Sequence, residues 1–223
     1  MRPETLAYLR DLGVNNNREW FQAHYDRYQS DLVEPARALV LDLGPRLQAF
    51  APAVRFEPRS RGSIMAINRD IRFSQDKRPY KGHLDLWFWQ GERRDGPGYW
   101  FRLRADSLAL GAGMHHFEDA LLRRYREAVV DPVRGERLTA ALDQVRSAGP
   151  YQVGGEHYKR VPSGFDASHP RADLLRHIGL FVWTDMPIPP ETFTDDFAAF
   201  CAAHYRPMAP VVDWLVPLGG RGQ

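Results

Sequence analysis

Leu84-Asp85-Leu86-Trp87-Phe88-Trp89-Gln90, followed after a short break by Tyr99-Trp100-Phe101-Arg102-Leu103-Arg104, decides the fold class. In the first stretch Leu84, Leu86 and Phe88 share one face. In the second, Tyr99, Phe101 and Leu103 alternate with Trp100, Arg102 and Arg104. Alternation with period two marks a strand with one face buried. The connecting Gly91 to Gly98, with Asp95-Gly96-Pro97-Gly98 at its tip, reads as a hairpin turn. Val54 to Glu57, Ser63 to Asn68 and Ser107 to Gly111 are further short stretches bounded by turn residues. The set predicts an antiparallel meander.

Outside this region the period changes. Leu6, Leu9 and Leu12 predict a helix over 3–12, ended by Gly13. Asn16 followed by Glu19 resembles a capping box and predicts a helix to about Ser30. On it Trp20, Phe21 and Tyr25 form a stripe read as core. Another helix is predicted from near Pro35 to Phe50. Beyond the meander, helices are predicted over 117–129 and 133–148, and a strand over 151–163. A short helix over 171–177, a strand over 179–184 and helices over 192–204 and 208–216 follow. Strand runs bracketed by helix runs predict an α+β fold: an antiparallel meander sheet flanked by N- and C-terminal helices. The chain of 223 residues, 43% of them hydrophobic, fits a single domain over 1–218. Gly219 to Gln223 read as a flexible tail.

Several classes are excluded. No apolar run approaches the roughly 18 to 20 residues that cross a bilayer, and the start is amphipathic rather than a signal peptide. The single cysteine, Cys201, allows no intrachain disulfide; its Ala-Phe-Cys-Ala-Ala setting suggests a buried, inert thiol. These features point to a cytoplasmic protein. No HExxH, EF-hand loop or Cys/His spacing suggests a metal, and adjacent His115 and His116 would point apart on a strand. GxSxG, GxxxxGK[ST] and GxGxxG are absent, and no motif identifies a cofactor or an oligomeric state.

Charge is more informative. The net charge is +2, but residues 55–104 carry twelve basic and six acidic residues. A local basic surplus favours an anionic partner. Only three lysines occur among 30 basic residues, and two of them, Lys77 and Lys81, lie four apart. Both fall in Asn68-Arg69-Asp70-Ile71-Arg72-Phe73-Ser74-Gln75-Asp76-Lys77-Arg78-Pro79-Tyr80-Lys81. Arg forks and Lys ammonium groups match phosphate or carboxylate oxygens. Arg69, Arg72, Lys77 and Lys81 are therefore candidate anion ligands, with Ser74 and Tyr80 as hydroxyl donors. Asp70 and Asp76 are candidate acid/base groups, and Lys77, a titratable amine, is grouped with them. The competing reading is a loop pinned by Arg–Asp pairs, with Phe73 and Tyr80 plugged into the core.

Asn15-Asn16-Asn17-Arg18-Glu19-Trp20-Phe21 resembles the opening motif of the domain of unknown function 2461 family. Arg69 to Lys81 is similar to its RDxRFSxDKxPYK pattern. Lys159-Arg160-Val161-Pro162-Ser163-Gly164-Phe165-Asp166 with His169-Pro170 is similar to its KRxPxGxDxxHP pattern. Order and spacing agree over nearly the whole chain. Gln75 and Ser163 stand where a lysine is frequent. The resemblance implies no reaction. It adds Lys159 and Arg160 as candidate ligand contacts, on opposite faces if on a strand. His169 joins as a candidate general acid or base, against a reading in which Asp166 and His169 cap the next helix.

These residues point to a protein that binds or acts on a small anionic, phosphate-bearing ligand. The alternatives are a nucleic-acid module stacking bases on Trp87, Trp89, Tyr99, Trp100 and Phe101, and a scaffold with no ligand.

Overall fold

The computed structural model describes residues 1–91 and 96–219. The turn expected at Gly91 to Gly98 lies partly outside these residues. The expected tail also lies outside them, except Gly219, which ends the last helix. The fold is α+β, with a six-stranded antiparallel sheet and helices at both ends of the chain. The chain divides into two compact units. The first comprises Met1–Phe88, Trp100–Leu110 and Asp185–His204; the second comprises Trp89–Tyr99, Gly111–Thr184 and the chain from Tyr205.

In the first unit, α1 (Pro3–Val14) buries Leu6, Tyr8, Leu9 and Leu12. Asn15 closes it: its backbone N–H and its side-chain amide both donate to the Asp11 carbonyl, at 2.9 and 3.0 Å. The cap of α2 (Arg18–Ala23) is Asn17, not the expected Asn16; Asn17 Oδ1 accepts the Trp20 N–H at 2.9 Å. α3 (Tyr25–Arg27), a π-helical stretch Tyr28–Val33 and α4 (Glu34–Gln48) then run on without the expected break. Pro35 has no N–H to return to the preceding turn, and the wider π turn lies where that bond is missing. The aromatic stripe is only partly core: Phe21 is buried, Trp20 is half-buried and stacked on His24, and Tyr25 is exposed. The helical path is broken at His24, which rotates Tyr25 off the buried face.

The strands are β1 (Val54–Arg55), β2 (Leu84–Gln90), β3 (Gly98–Leu103), β4 (Ser107–Met114), β5 (Gln152–Glu156) and β6 (His177–Pro187). Their order in the sheet is β1-β2-β3-β4-β6-β5. The first four thus form the meander. Leu84, Leu86 and Phe88 of β2 are buried, as are Tyr99, Phe101 and Leu103 of β3, as their alternation requires.

Residues 63–68 do not form the expected strand. They divide their hydrogen bonds between two partners. Trp87 N–H donates to the Ser63 carbonyl at 2.8 Å and Met65 N–H to that of Asp85 at 3.0 Å; Lys81 N–H then donates to Ile67 and Arg69 N–H to Pro79. Neither partnership lasts long enough to make a ladder.

In the second unit, α5 (Asp119–Val130) packs with α6 (Pro132–Ala148), whose N-cap Asp131 accepts from Val133 and Arg134 N–H. Short α7 (Ala172–Leu175) and α9 (Ala209–Gly219) complete its helices, while α8 (Phe197–Tyr205) lies chiefly in the first unit. Three expectations are corrected here. β5 stops at Glu156, because His157 and Tyr158 N–H both turn to the Arg176 carbonyl. The helix expected over 171–177 is the single turn α7. The helix expected over 192–204 is a 3-10 turn, Pro190–Phe193, then a break at Thr194 whose hydroxyl accepts from Asp196 N–H before α8 begins. No helix among the described residues is long and apolar enough to cross a membrane. Cys201 is buried, and burial pushes its thiol far above the ordinary range.

Candidate functional site

Residues 69–79 form a loop in the first unit whose two feet are fastened together. Asn68 and Tyr80 form an antiparallel bridge. Arg69 N–H donates to the Pro79 carbonyl at 2.8 Å and Lys81 N–H to that of Ile67 at 2.7 Å. Asn16 acts as an extra strand residue: its Nδ2 donates to the Tyr80 carbonyl and its Oδ1 accepts the Tyr80 N–H, both at 3.0 Å. The Tyr80 ring is buried and stacks on Phe21 at 4.1 Å between centroids. The loop is therefore anchored on the N-terminal helices.

Above this anchor the tip is exposed and patterned. Asp70 receives Arg72 Nε and Nη2, the closest contact being 2.6 Å. Asp76 receives Arg78 through the same edge at 2.8 Å and Arg69 Nη1 at 2.7 Å. Both aspartates also accept the backbone N–H two residues on, from Arg72 and Arg78. The Arg72 hydrogen bonds hold the Asp70 carboxyl below the usual range, and those of Arg78, then Arg69, do the same to Asp76. Each of Arg72 and Arg78 commits its Nε–Nη2 edge and leaves its other edge outward. Lys77 Nζ donates to the Ile71 carbonyl at 3.1 Å, its one acceptor among the described residues. An ammonium carries three N–H groups. Ser74 is half-buried at the tip. Phe73 does not plug the core; it is 95% exposed, with the Arg72 guanidinium 5.8 Å from its ring centroid.

The far foot carries a second cluster. Asp85, only 14% exposed at its side chain, receives Arg102 Nε at 2.7 Å, His83 Nε2 at 3.2 Å and Lys81 Nζ at 3.4 Å. Burial opposes its ionisation, but the bonds from His83 and Arg102 prevail and hold its carboxyl well below the usual range. A narrow recess beside it is lined by Tyr28, Met65, Lys81 and His83. His83, Asp85 and Arg102 are site-proximal residues that the sequence reading passed over. Their signal was the alternation itself: Asp85 and Arg102 occupy the face of β2 and β3 opposite the core.

The third candidate group lies in the second unit. Lys159 and Arg160 are exposed in a bend after β5, so strand alternation does not govern them. Asp166 Oδ1 accepts the Ser168 N–H and hydroxyl at 2.8 and 2.7 Å. His169 Nδ1 accepts the Arg171 N–H at 3.1 Å, so the neutral ring carries its proton on Nε2. Arg171 in turn donates from Nε to the Val129 carbonyl at 2.6 Å and from Nη2 to that of Asp131 at 3.3 Å. It closes the last turn of α5, and a side chain at Gly135 would strike it. Among the described residues no group of three His, Cys, Asp or Glu side chains is placed to hold a metal.

The chain belongs to the conserved hypothetical protein family DUF2461, whose model matches residues 4–214. No curated protein matches the sequence. The family match spans all three motifs quoted above, so the fastened loop and the turn from Asp166 to His169 are the forms that two of them take in this chain.

Proposed function

We propose that this protein binds a small phosphate-bearing anion at the tip of the 69–79 loop. The observation that carries this reading is the state of Lys77, Arg72 and Arg78. All three are exposed, and each keeps N–H donors that no acceptor among the described residues uses. A phosphoryl group needs several such donors from different directions. Asp70 and Asp76 hold the guanidinium planes in place, so less side-chain freedom is lost on binding. Ser74 supplies a hydroxyl donor. Arg69 and Lys81, tied to Asp76 and Asp85, support the loop from below.

Asp70 and Asp76, held ionised by their arginines, have little proton affinity near neutral pH. The reading is therefore one of binding and assigns no reaction. Three of the five aromatics in a base-stacking reading, Trp89, Tyr99 and Phe101, are buried, which counts against a nucleic-acid strand on the sheet.

Calorimetric titration with inorganic phosphate and ribose 5-phosphate at low salt tests the proposal. Arg72→Ala/Lys77→Ala should weaken binding at least about tenfold, since each charge-assisted bond contributes about 1.5–3 kcal/mol. Unchanged affinity in that variant refutes it.

A further inference from the structure

Phe73 lies on the loop that carries the proposed anion site, next to Arg72, yet its ring is not packed into the fold. It is the most exposed of the large hydrophobic residues, at 95%, between Arg72 on one side and Ser74 on the other. The rest of the loop shows that aromatic burial is available in this segment: Tyr80, seven positions on, stacks against Phe21. The ring is not merely carried on a disordered arm, because both feet of the loop are fastened. Arg72 approaches the ring from one side, at 5.8 Å, while Asp70 holds the same guanidinium by two nitrogens. Such exposure leaves ring surface open to a ligand.

An open aromatic surface beside unspent phosphate donors matches a ligand with two parts: a phosphoryl group and a flat unsaturated ring. We infer that the anion held by this loop is a nucleotide, with its base stacked on Phe73 and its phosphate on Lys77, Arg72 and Arg78. Stacking between a base and an aromatic side chain needs only a free ring surface and tolerates any base. The guanidinium of Arg72 can serve both parts, through its ring contact and through its outer edge. The interspersed Asp70 and Asp76 favour a mononucleotide over a long strand or an anionic lipid surface. Two fixed carboxylates would meet successive phosphates of a polymer, whereas one phosphate can be placed away from both.

This inference rests on the phosphate reading and is tested separately from it. Inorganic phosphate, ribose 5-phosphate and adenosine 5′-monophosphate are titrated calorimetrically into the full chain and into Phe73→Leu and Phe73→Trp. Leucine keeps apolar bulk and removes the π surface; both substitutions sit on an exposed tip. In wild type and Phe73→Trp, adenosine 5′-monophosphate should bind about tenfold more tightly than ribose 5-phosphate, about 1.4 kcal/mol. In Phe73→Leu that ratio should fall to near one. Equal affinity for the two in wild type, or a ratio that survives Phe73→Leu, overturns the inference while the phosphate reading stands. No binding of any of the three overturns both. Binding of anionic vesicles or oligonucleotides without a preference for the mononucleotide over ribose 5-phosphate also overturns it.

Discussion

Asn16, Asn17 and Asp85 show how much single residues decide here. The sequence signal for a cap beside Trp20 was correct in type and wrong by one position. Asn17 takes the cap, which releases Asn16 to pair with the backbone of Tyr80, 64 residues away. Local spacing cannot tell two adjacent asparagines apart, because the deciding partner is distant in sequence. Asn16→Ala should leave both Tyr80 backbone groups without their side-chain partner and lower stability by about 1–3 kcal/mol in urea unfolding. Asn16→Asp should cost at least as much, since a carboxylate oxygen would then face the Tyr80 carbonyl. Asp85 gives a pH prediction. Its folded-state proton affinity is depressed by His83 and Arg102, against burial. Its contribution is therefore fully present above the unfolded carboxyl value, about 4, and is lost as pH falls through the lower folded value. Asp85→Asn should be less stable at neutral pH by about 2 kcal/mol and should show a shallower loss of stability below about pH 4. Equal acid slopes in the two proteins would refute this.

At the scale of elements, strands β2 and β3 and helices α5 and α6 were legible because their apolar residues recur with one period over many positions. Residues 63–68 and 157–163 were not. The first shares its bonds between two partners, and the second leaves the sheet where His157 and Tyr158 N–H turn to the Arg176 carbonyl. Composition specifies a willing strand; a ladder also needs a continuous edge beside it. The junction of β4 with β6 offers a direct test. Gly113 has φ +126°, and a side chain there would run into the Leu180 carbonyl and the Phe181 backbone. Gly113→Ala should destabilise by more than about 1 kcal/mol in thermal or urea unfolding. Arg171→Ala should likewise cost about 1–3 kcal/mol, because the Val129 carbonyl at the end of α5 loses its donor. Arg171 directly follows the His169-Pro170 pair of the third motif, and His169 Nδ1 accepts its backbone N–H.

For the whole molecule, the α+β class and the family followed from patterns that extend over long stretches of chain. The density of charge in residues 69–81 pointed to the candidate site, but not to its division of labour. In the sequence, Arg69, Arg72, Lys77 and Lys81 were equal candidates for the anion, and Arg78 was not among them. In the fold, Arg69 and Lys81 face carboxylates near the feet, while Arg72, Lys77 and Arg78 remain at the exposed tip. The competing reading of a pinned loop put Phe73 inside, and it is outside. Both outcomes depend on where the loop is fastened, and that is set by Asn16 and Tyr80 together. The proposed function places a phosphate-bearing anion at the tip of this loop. The most direct test is to follow the backbone amide resonances of the isotopically labelled protein as inorganic phosphate is added at low salt. Saturable shifts should be concentrated in residues 70–78 and absent from Arg72→Ala/Lys77→Ala. Saturable shifts elsewhere with 70–78 unmoved, or no saturable shift at all, would contradict it.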